Sequence, residues 1–259
     1  MLVESVHDRA ELAELLLRTP DLRAYELGDL DERFWPYTTW YRRGEALALL
    51  FHGAGLPILL ALDTPDRFVP LTELVADLRP LLPRRFYAHL SPGVTAALEP
   101  EFAADSNGPH LKMALTDPTR LDRWQDTTEV VELTPADLTE LGVFYELAYP
   151  AHSFVPRMVE QDPYVGVRRG GELLAVAGVH VFSPRYRVAA IGNVATHPQA
   201  RGQGLASVAV AALCRRLLTS VDRIALNVKA DNRAAIALYA RLGFSQVAAY
   251  TELTFTARP

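Results

Sequence analysis

The chain has 259 residues, 49% of them hydrophobic and 22% charged, which suffices for one large core or two small ones and excludes a disordered or collagen-like chain. No run approaches the about 18 consecutive apolar residues of a membrane-spanning helix, and residues 1–30 carry acids where a secretory leader would be basic and then apolar, so a cytoplasmic protein with no membrane partner is expected. The net charge of −5 divides unevenly, with 13 basic against 19 acidic side chains in residues 1–125 and 13 against 12 in residues 126–259; neither half offers the basic field that a nucleic-acid partner requires.

Leu12, Leu15 and Leu16 at helical spacing predict a helix over residues 8–17, closed by Pro20. Three short apolar runs, 37–42, 47–51 and 57–62, are split by glycine-bearing turns and predict an antiparallel meander. A helix over 71–82, a strand over 85–90, a short helix over 93–102 and a strand over 110–115 follow, and the polar stretch 116–128 is read as a linker. The aromatic run Phe34, Trp35, Tyr37, Trp40 and Tyr41 is assigned to core filling.

Beyond the linker a strand over 130–133 leads into a helix opened by Thr134 and Pro135 and running to about 147. An irregular connection over 149–156, a short helix over 157–161, strands over 164–168, 172–182 and 187–196, a helix over about 203–219, a strand over 223–228, a helix over 232–241 and terminal strands over 244–256 complete the chain. The fold class is therefore α+β, a mainly antiparallel sheet flanked by helices, and the similar order of elements in the two halves points to a tandem of two such domains, 1–125 and 126–259. Cys214, the single cysteine, sits among Val210, Leu213 and Leu217 as a packing residue. It has no disulfide partner, no Cys/His spacing supplies a zinc site, and no metal is expected.

The most informative stretch is Gln199, Ala200, Arg201, Gly202, Gln203, Gly204, Leu205 and Ala206, where a strand passes through two glycines into a helix. Glycines at 202 and 204 let the backbone turn sharply and leave N–H groups facing an anion, and the helix adds the positive end of its dipole. No lysine follows as a P-loop would need, and Ser207 stands where a dinucleotide fingerprint wants glycine or alanine. The reading left by that spacing is coenzyme A.

Gln199-x-x-Gly202-x-Gly204, Asn227 on the next strand, the segment Asn232 to Tyr239 (N-x-x-A-x-x-L-Y) and Gly243-Phe244 together resemble the GNAT N-acetyltransferase superfamily over about residues 130–256. The resemblance implies an enzyme that moves an acetyl group from acetyl-CoA to a primary amine, a small molecule or peptide, by direct attack in a ternary complex. It places cofactor contacts on Val194, Ala195 and Thr196, whose backbone would bond pantetheine amides and polarise the thioester, as well as on the cradle and on Asn227, Asn232 and Ala235. Helical geometry puts Asn232, Ala235 and Tyr239 on one face about 10 Å long, and the resemblance gives Tyr239 the part of general acid to the leaving thiolate. It also implies a glutamate late on the strand before the cradle, where this chain has Ala190, Ile191 and Gly192. His180 and Glu146 are the candidates for the missing base, and Tyr149, His152 and Phe154 for the acceptor pocket. Residues 1–125 are similar in element order to the N-terminal part of glycine N-acyltransferase-like members and lack the cradle, as a degenerate copy would. A non-catalytic acyl-CoA sensor is the alternative function, a nicotinamide-dependent enzyme is a third, and association with a second copy is left open.

Overall fold

The carboxylate of Asp8 accepts hydrogen bonds from the N–H groups of Ala10 at 2.8 Å and Glu11 at 3.3 Å, satisfying amides that a helix start leaves unpaired. It thereby opens α1 (Arg9–Leu16). In this computed structural model, which describes residues 3–124, 129–150 and 152–259, α1 follows a short strand β1 (Glu4–Val6) and precedes α2 (Ala24–Asp29). The meander follows as β2 (Thr38–Arg43), β3 (Ala46–Phe51) and β4 (Ile58–Ala61), then α3 (Phe68–Leu78), β5 (Arg85–Leu90) and β6 (Phe102–Leu115).

The second series starts at β7 (Val130–Leu133). Thr134 and Asp137 form a reciprocal capping box around Pro135, and α4 (Leu138–Ala148) grows from it. Next come α5 (Pro156–Gln161), β8 (Tyr164–Arg169), β9 (Glu172–Ser183), β10 (Val188–Thr196), α6 (Leu205–Leu218), β11 (Arg223–Lys229), α7 (Arg233–Arg241) and β12 (Phe244–Ala257). Among the described residues no helix is long and apolar enough to cross a membrane.

Two compact units result, and they interleave along the chain. One comprises residues 1–113, 227–233 and 246–259, the other 114–226 and 234–245. The first holds a sheet in the order β1-β2-β3-β4-β5-β12-β6. β12 lies antiparallel to β5, from Thr251 opposite Leu90 to Thr256 opposite Arg85, so the end of the chain completes the sheet of the first unit. One face of that sheet packs Leu50, Leu59, Phe86, Phe102 and Phe255 against Leu71, Leu74, Val75 and Leu78 of α3. Elsewhere in the unit charged groups are buried: Arg23 pairs with Glu26 at 3.2 Å and with Asp63 at 3.0 Å, and Lys112, 1% exposed, lies 3.9 Å from Glu26. The Glu252 carboxylate receives the hydroxyls of Tyr87 and Tyr250 and faces the imidazoles of His89 and His110 at 3.4 and 3.3 Å.

The second unit holds the order β11-β10-β9-β8-β7, antiparallel except for the pair β10 and β11. Its core joins Leu141, Phe144 and Tyr145 of α4 to Phe154, Val159, Tyr164, Leu173, Val176 and Ala195.

Several expectations need correction. The helix expected over 93–102 is a single 3-10 turn, Val94–Ala97, and β6 begins at Phe102 because its residues 103–107 are exposed and carry no alternating pattern to read. Neither β1 nor α2 was expected; α2 buries Glu26 and Asp29 and so reads as polar loop. Of the aromatic run only Trp40 is core, and Tyr37 is half exposed. Within 116–128, Thr116 and Asp117 donate their N–H groups to the Gly243 carbonyl at 3.0 and 3.1 Å and a 3-10 helix covers Pro118–Arg123; residues 125–128 lie outside the described residues.

Candidate functional site

β10 and β11 run parallel from Val188 opposite Arg223 to Ile191 opposite Leu226, and the pairing ends there. β10 continues to Thr196, so its last residues keep their other neighbour, β9, and lose the parallel one. Val194, Ala195 and Thr196, the backbone positions expected to meet the thioester and pantetheine, lie on this released segment. From Thr196 the chain passes through a 3-10 turn (Pro198–Ala200) to Gly202 and Gly204, both at φ +78°, and into α6. Among the described residues none accepts a hydrogen bond from the N–H groups of Gly202, Gln203, Gly204, Leu205 or Ala206. Unpaired amides at a left-handed turn, on the N-terminus of a 14-residue helix, are what an anion cradle requires, and the residues present fit a pyrophosphate.

Arg201 is turned elsewhere: its guanidinium donates to the Ala148 carbonyl at 3.0 Å and to Thr196 at 3.4 Å, joining the end of α4 to the start of the turn. Gln199 is exposed, and its N–H donates to His197 Nδ1 at 3.3 Å. The cation beside the turn is Arg169, which donates to the Gln203 side chain at 3.0 Å and pairs with Glu129 at 2.9 Å. Sequence reasoning missed it, since Arg169 falls between the strands expected over 164–168 and 172–182.

Tyr239 projects from α7 and is 8% exposed, with its ring 5.8 Å from that of Phe244. Burial holds its phenol well above the ordinary value, with Cys214 and Tyr149 adding to the shift. No hydrogen bond among the described residues involves its hydroxyl, so the group stays protonated and uncommitted, as a proton donor must. Cys214 is fully buried, and burial pushes its thiol up to about 12; it is a packing residue. Asn227 and Asn232 fall in the first unit, whereas Ala235 and Tyr239 fall in the second. The Asn227 Oδ1 is buried and accepts no hydrogen bond from the described residues.

β10 and β9 are offset by two bulges. At the first, Ala190 pairs with Val181 and Ile191 with Val179, leaving His180 of β9 unopposed. A Cβ placed on Gly192 would come within 2.0 Å of Cδ2 and Nε2 of His180, so the imidazole occupies the space a side chain at 192 would fill. At the second, Asn193 and Val194 bow out of β10 between Gly192 and Ala195. Asn193 is buried at φ +50°, a conformation uncommon outside glycine. Its Nδ2 donates to the Tyr164 hydroxyl at 2.9 Å and to Met158 Sδ at 3.3 Å, its Oδ1 accepts from Ser153 at 3.3 Å, and its carbonyl accepts from Tyr145 at 2.7 Å. Burial holds both tyrosine phenols above their usual range, so they remain donors. Sequence reasoning missed Asn193, Tyr145 and Tyr164; an asparagine two places before Ala195 was the only visible signal.

The connection between α4 and α5 places Phe154 against Tyr145, with ring centres 4.8 Å apart, and His152 5.2 Å from the same ring. The Phe154 N–H donates to His152 Nδ1 at 3.2 Å, and His152 Nε2 faces Glu146 at 3.7 Å. A neutral His152 therefore carries its hydrogen on Nε2 and has no spare lone pair with which to take a proton. Glu146 is 77% exposed and meets only this ring at close range among the described ion pairs. Tyr149 is half exposed.

In the first unit β4 and β5 are likewise parallel, with α3 between them, and the turn corresponding to the cradle reads Leu62, Asp63, Thr64, Pro65, Asp66, Arg67. It has no glycine and two carboxylates, which would repel a phosphate.

The acetyltransferase (GNAT) family profile matches residues 122–244. Among curated proteins none matches the chain. Among solved structures, a Drosophila melanogaster protein superposes with a TM-score of 0.73 at 16% identity over 98% of each chain. A GCN5-related N-acetyltransferase from Kribbella flavida does so with 0.58 at 18% identity, over 97% of this chain and 95% of that one. A tandem GNAT protein from the clavulanic acid biosynthesis pathway gives 0.56 at 19% identity, over 100% of this chain and 99% of that one. These likenesses extend the shared fold over both units, and residues 122–244 match the acetyltransferase (GNAT) family profile.

Proposed function

We propose that the second unit binds acetyl-CoA and transfers its acetyl group to a primary amine, a small molecule or a peptide, by direct attack within a ternary complex. The observation that carries this reading is the run of five unpaired N–H groups at Gly202 to Ala206, set where β10 parts from its parallel neighbour. The cradle residues hold the diphosphate, and the released backbone of Val194, Ala195 and Thr196 offers donors to the thioester oxygen as it gains charge. Tyr239 gives its phenolic proton to the departing sulfur. The first unit, with a carboxylate-bearing turn in place of a cradle, serves as a non-binding copy.

The test is direct. Acetyl-CoA should raise the melting temperature, and a panel of amines should release free thiol from it. Tyr239→Phe should keep the thermal shift and lower kcat by about 10²-fold or more, the usual contribution of a positioned acid. Binding with silence across the whole panel would favour an acyl-CoA sensor instead, and protection by NAD with none by CoA would favour a nicotinamide enzyme.

A further inference from the structure

We propose that His180 is the catalytic base for the acceptor amine, delivered from the neighbouring strand into a space that Gly192 leaves open. The proposal rests on the acyl-transfer reading above and adds the residue that takes the proton. Three observations converge. β10 carries no ionisable side chain from Val188 to Thr196, so the strand presenting the thioester donors cannot itself supply a base. β9 bulges at His180, and bulges beside functional sites commonly re-aim one side chain. The imidazole then stands where a Gly192 side chain would be, with Nε2 2.0 Å from the Cβ position. Gly192 is two residues before Val194 on the same strand, with only the bulged Asn193 between them, so the imidazole and the released donors border the same stretch of β10.

The proton balance is simple. An incoming ammonium first gives one proton to solvent; the free amine attacks the carbonyl carbon, forming the C–N bond, and the surplus proton on that nitrogen passes to His180. The C–S bond breaks with its electron pair on sulfur, which takes the Tyr239 proton. Solvent then removes the proton from His180 and restores the one on Tyr239. Of the elements packed on β9, β8 carries Tyr164, Arg168 and Arg169, α5 carries Arg157 and Glu160, and α6 carries Arg215 and Arg216. The other candidate, Glu146, is less well placed: it is turned to water and meets His152 at 3.7 Å.

The experiment is the pH dependence of kcat and kcat/KM for the full chain with acetyl-CoA and the best amine of the panel, in wild type and in His180→Gln. The expected result is a fall in kcat of about 10²-fold or more, a KM for acetyl-CoA within about twofold, and loss of the rising limb that titrates near the imidazole range. In the double variant His180→Ala/Gly192→Glu, a carboxylate takes the vacated space, and activity should return with a limb moved to lower pH. An active wild type with His180→Gln of unchanged rate and pH profile would overturn His180 and leave the acyl-transfer reading standing. If His180→Gln does not fold, absence of any recovery in a folded, CoA-binding double variant overturns it equally. A wild type that binds CoA and turns over no amine removes both claims.

Discussion

At Asn193 a side chain with three polar contacts holds a backbone conformation that most residues avoid, and the released end of β10 depends on it. Asn193→Gly removes those contacts and keeps the left-handed backbone easy, whereas Asn193→Ala loses both. Loss of the buried hydrogen bonds costs about 1–3 kcal/mol, and the left-handed alanine adds about 1 kcal/mol. Urea unfolding should therefore rank wild type above Asn193→Gly above Asn193→Ala, and an alanine variant as stable as the glycine one would show that the backbone is not constrained there. Gly243 is a harsher case: it sits at φ +97°, and a Cβ would come 2.0 Å from the Asp117 carbonyl oxygen, which is backbone and cannot swing away. At this scale the sequence was readable where backbone conformation follows spacing, as at the left-handed turn of Gly202 and Gly204. It was opaque at Asn193, and it named His180 as a candidate without showing that the imidazole packs over Gly192, because a bulge depends on which residue of one strand faces which of the next, and strand pattern alone does not encode that register.

Helix starts were legible for the same reason that they are stable. Thr134, Pro135 and Asp137 announce α4, and the structure joins them into a capping box with Arg168 donating to both Asp137 and Glu140. Thr134→Ala should cost about 0.5–2 kcal/mol, read as a lower urea midpoint. α2 was illegible because its inward face carries Glu26 and Asp29, which pattern assigns to solvent. The neighbouring His89, Glu252 and Tyr250 on β5 and β12 make the first unit sensitive to acid. Burial lowers the His89 imidazole from 6.5 to about 4, against the pull of Glu252 and with a smaller push from Lys112. A histidine depressed in the folded state is neutral there while the unfolded chain takes up a proton. Stability is thus full above pH 6.5 and falls as pH drops from 6.5 towards 4, at a slope approaching ~1.4 kcal/mol per pH unit. His89→Gln should flatten urea midpoints across that window; an unchanged slope would mean that another group sets it.

The order in which elements follow one another suggested two consecutive halves, and each unit does contain a meander followed by a parallel β-α-β pair. The partner of the last strand was not readable, because β12 has the same apolar alternation whichever sheet it joins. It joins β5, where Phe255 lies stacked 5.2 Å from Phe86 and edge-on to Phe102 at 6.4 Å, and where Tyr250 and Leu253 are also buried. Cutting the chain between residues 125 and 126 therefore separates β12 from the sheet it completes. A fragment of residues 126–259 exposes Tyr250, Leu253 and Phe255 on an unpaired strand, a surface that promotes aggregation, and a fragment of residues 1–125 loses the strand between β5 and β6. Expressed alone, each should elute from a sizing column as aggregate or lack a cooperative melt, while the two produced together should co-purify, because β12 regains β5. Phe255→Ala in the intact chain tests the same packing at one residue and should cost about 3–5 kcal/mol. A monomeric, cooperatively melting 126–259 fragment would mean that the second unit holds its own final strand and that the pairing of β12 with β5 is dispensable.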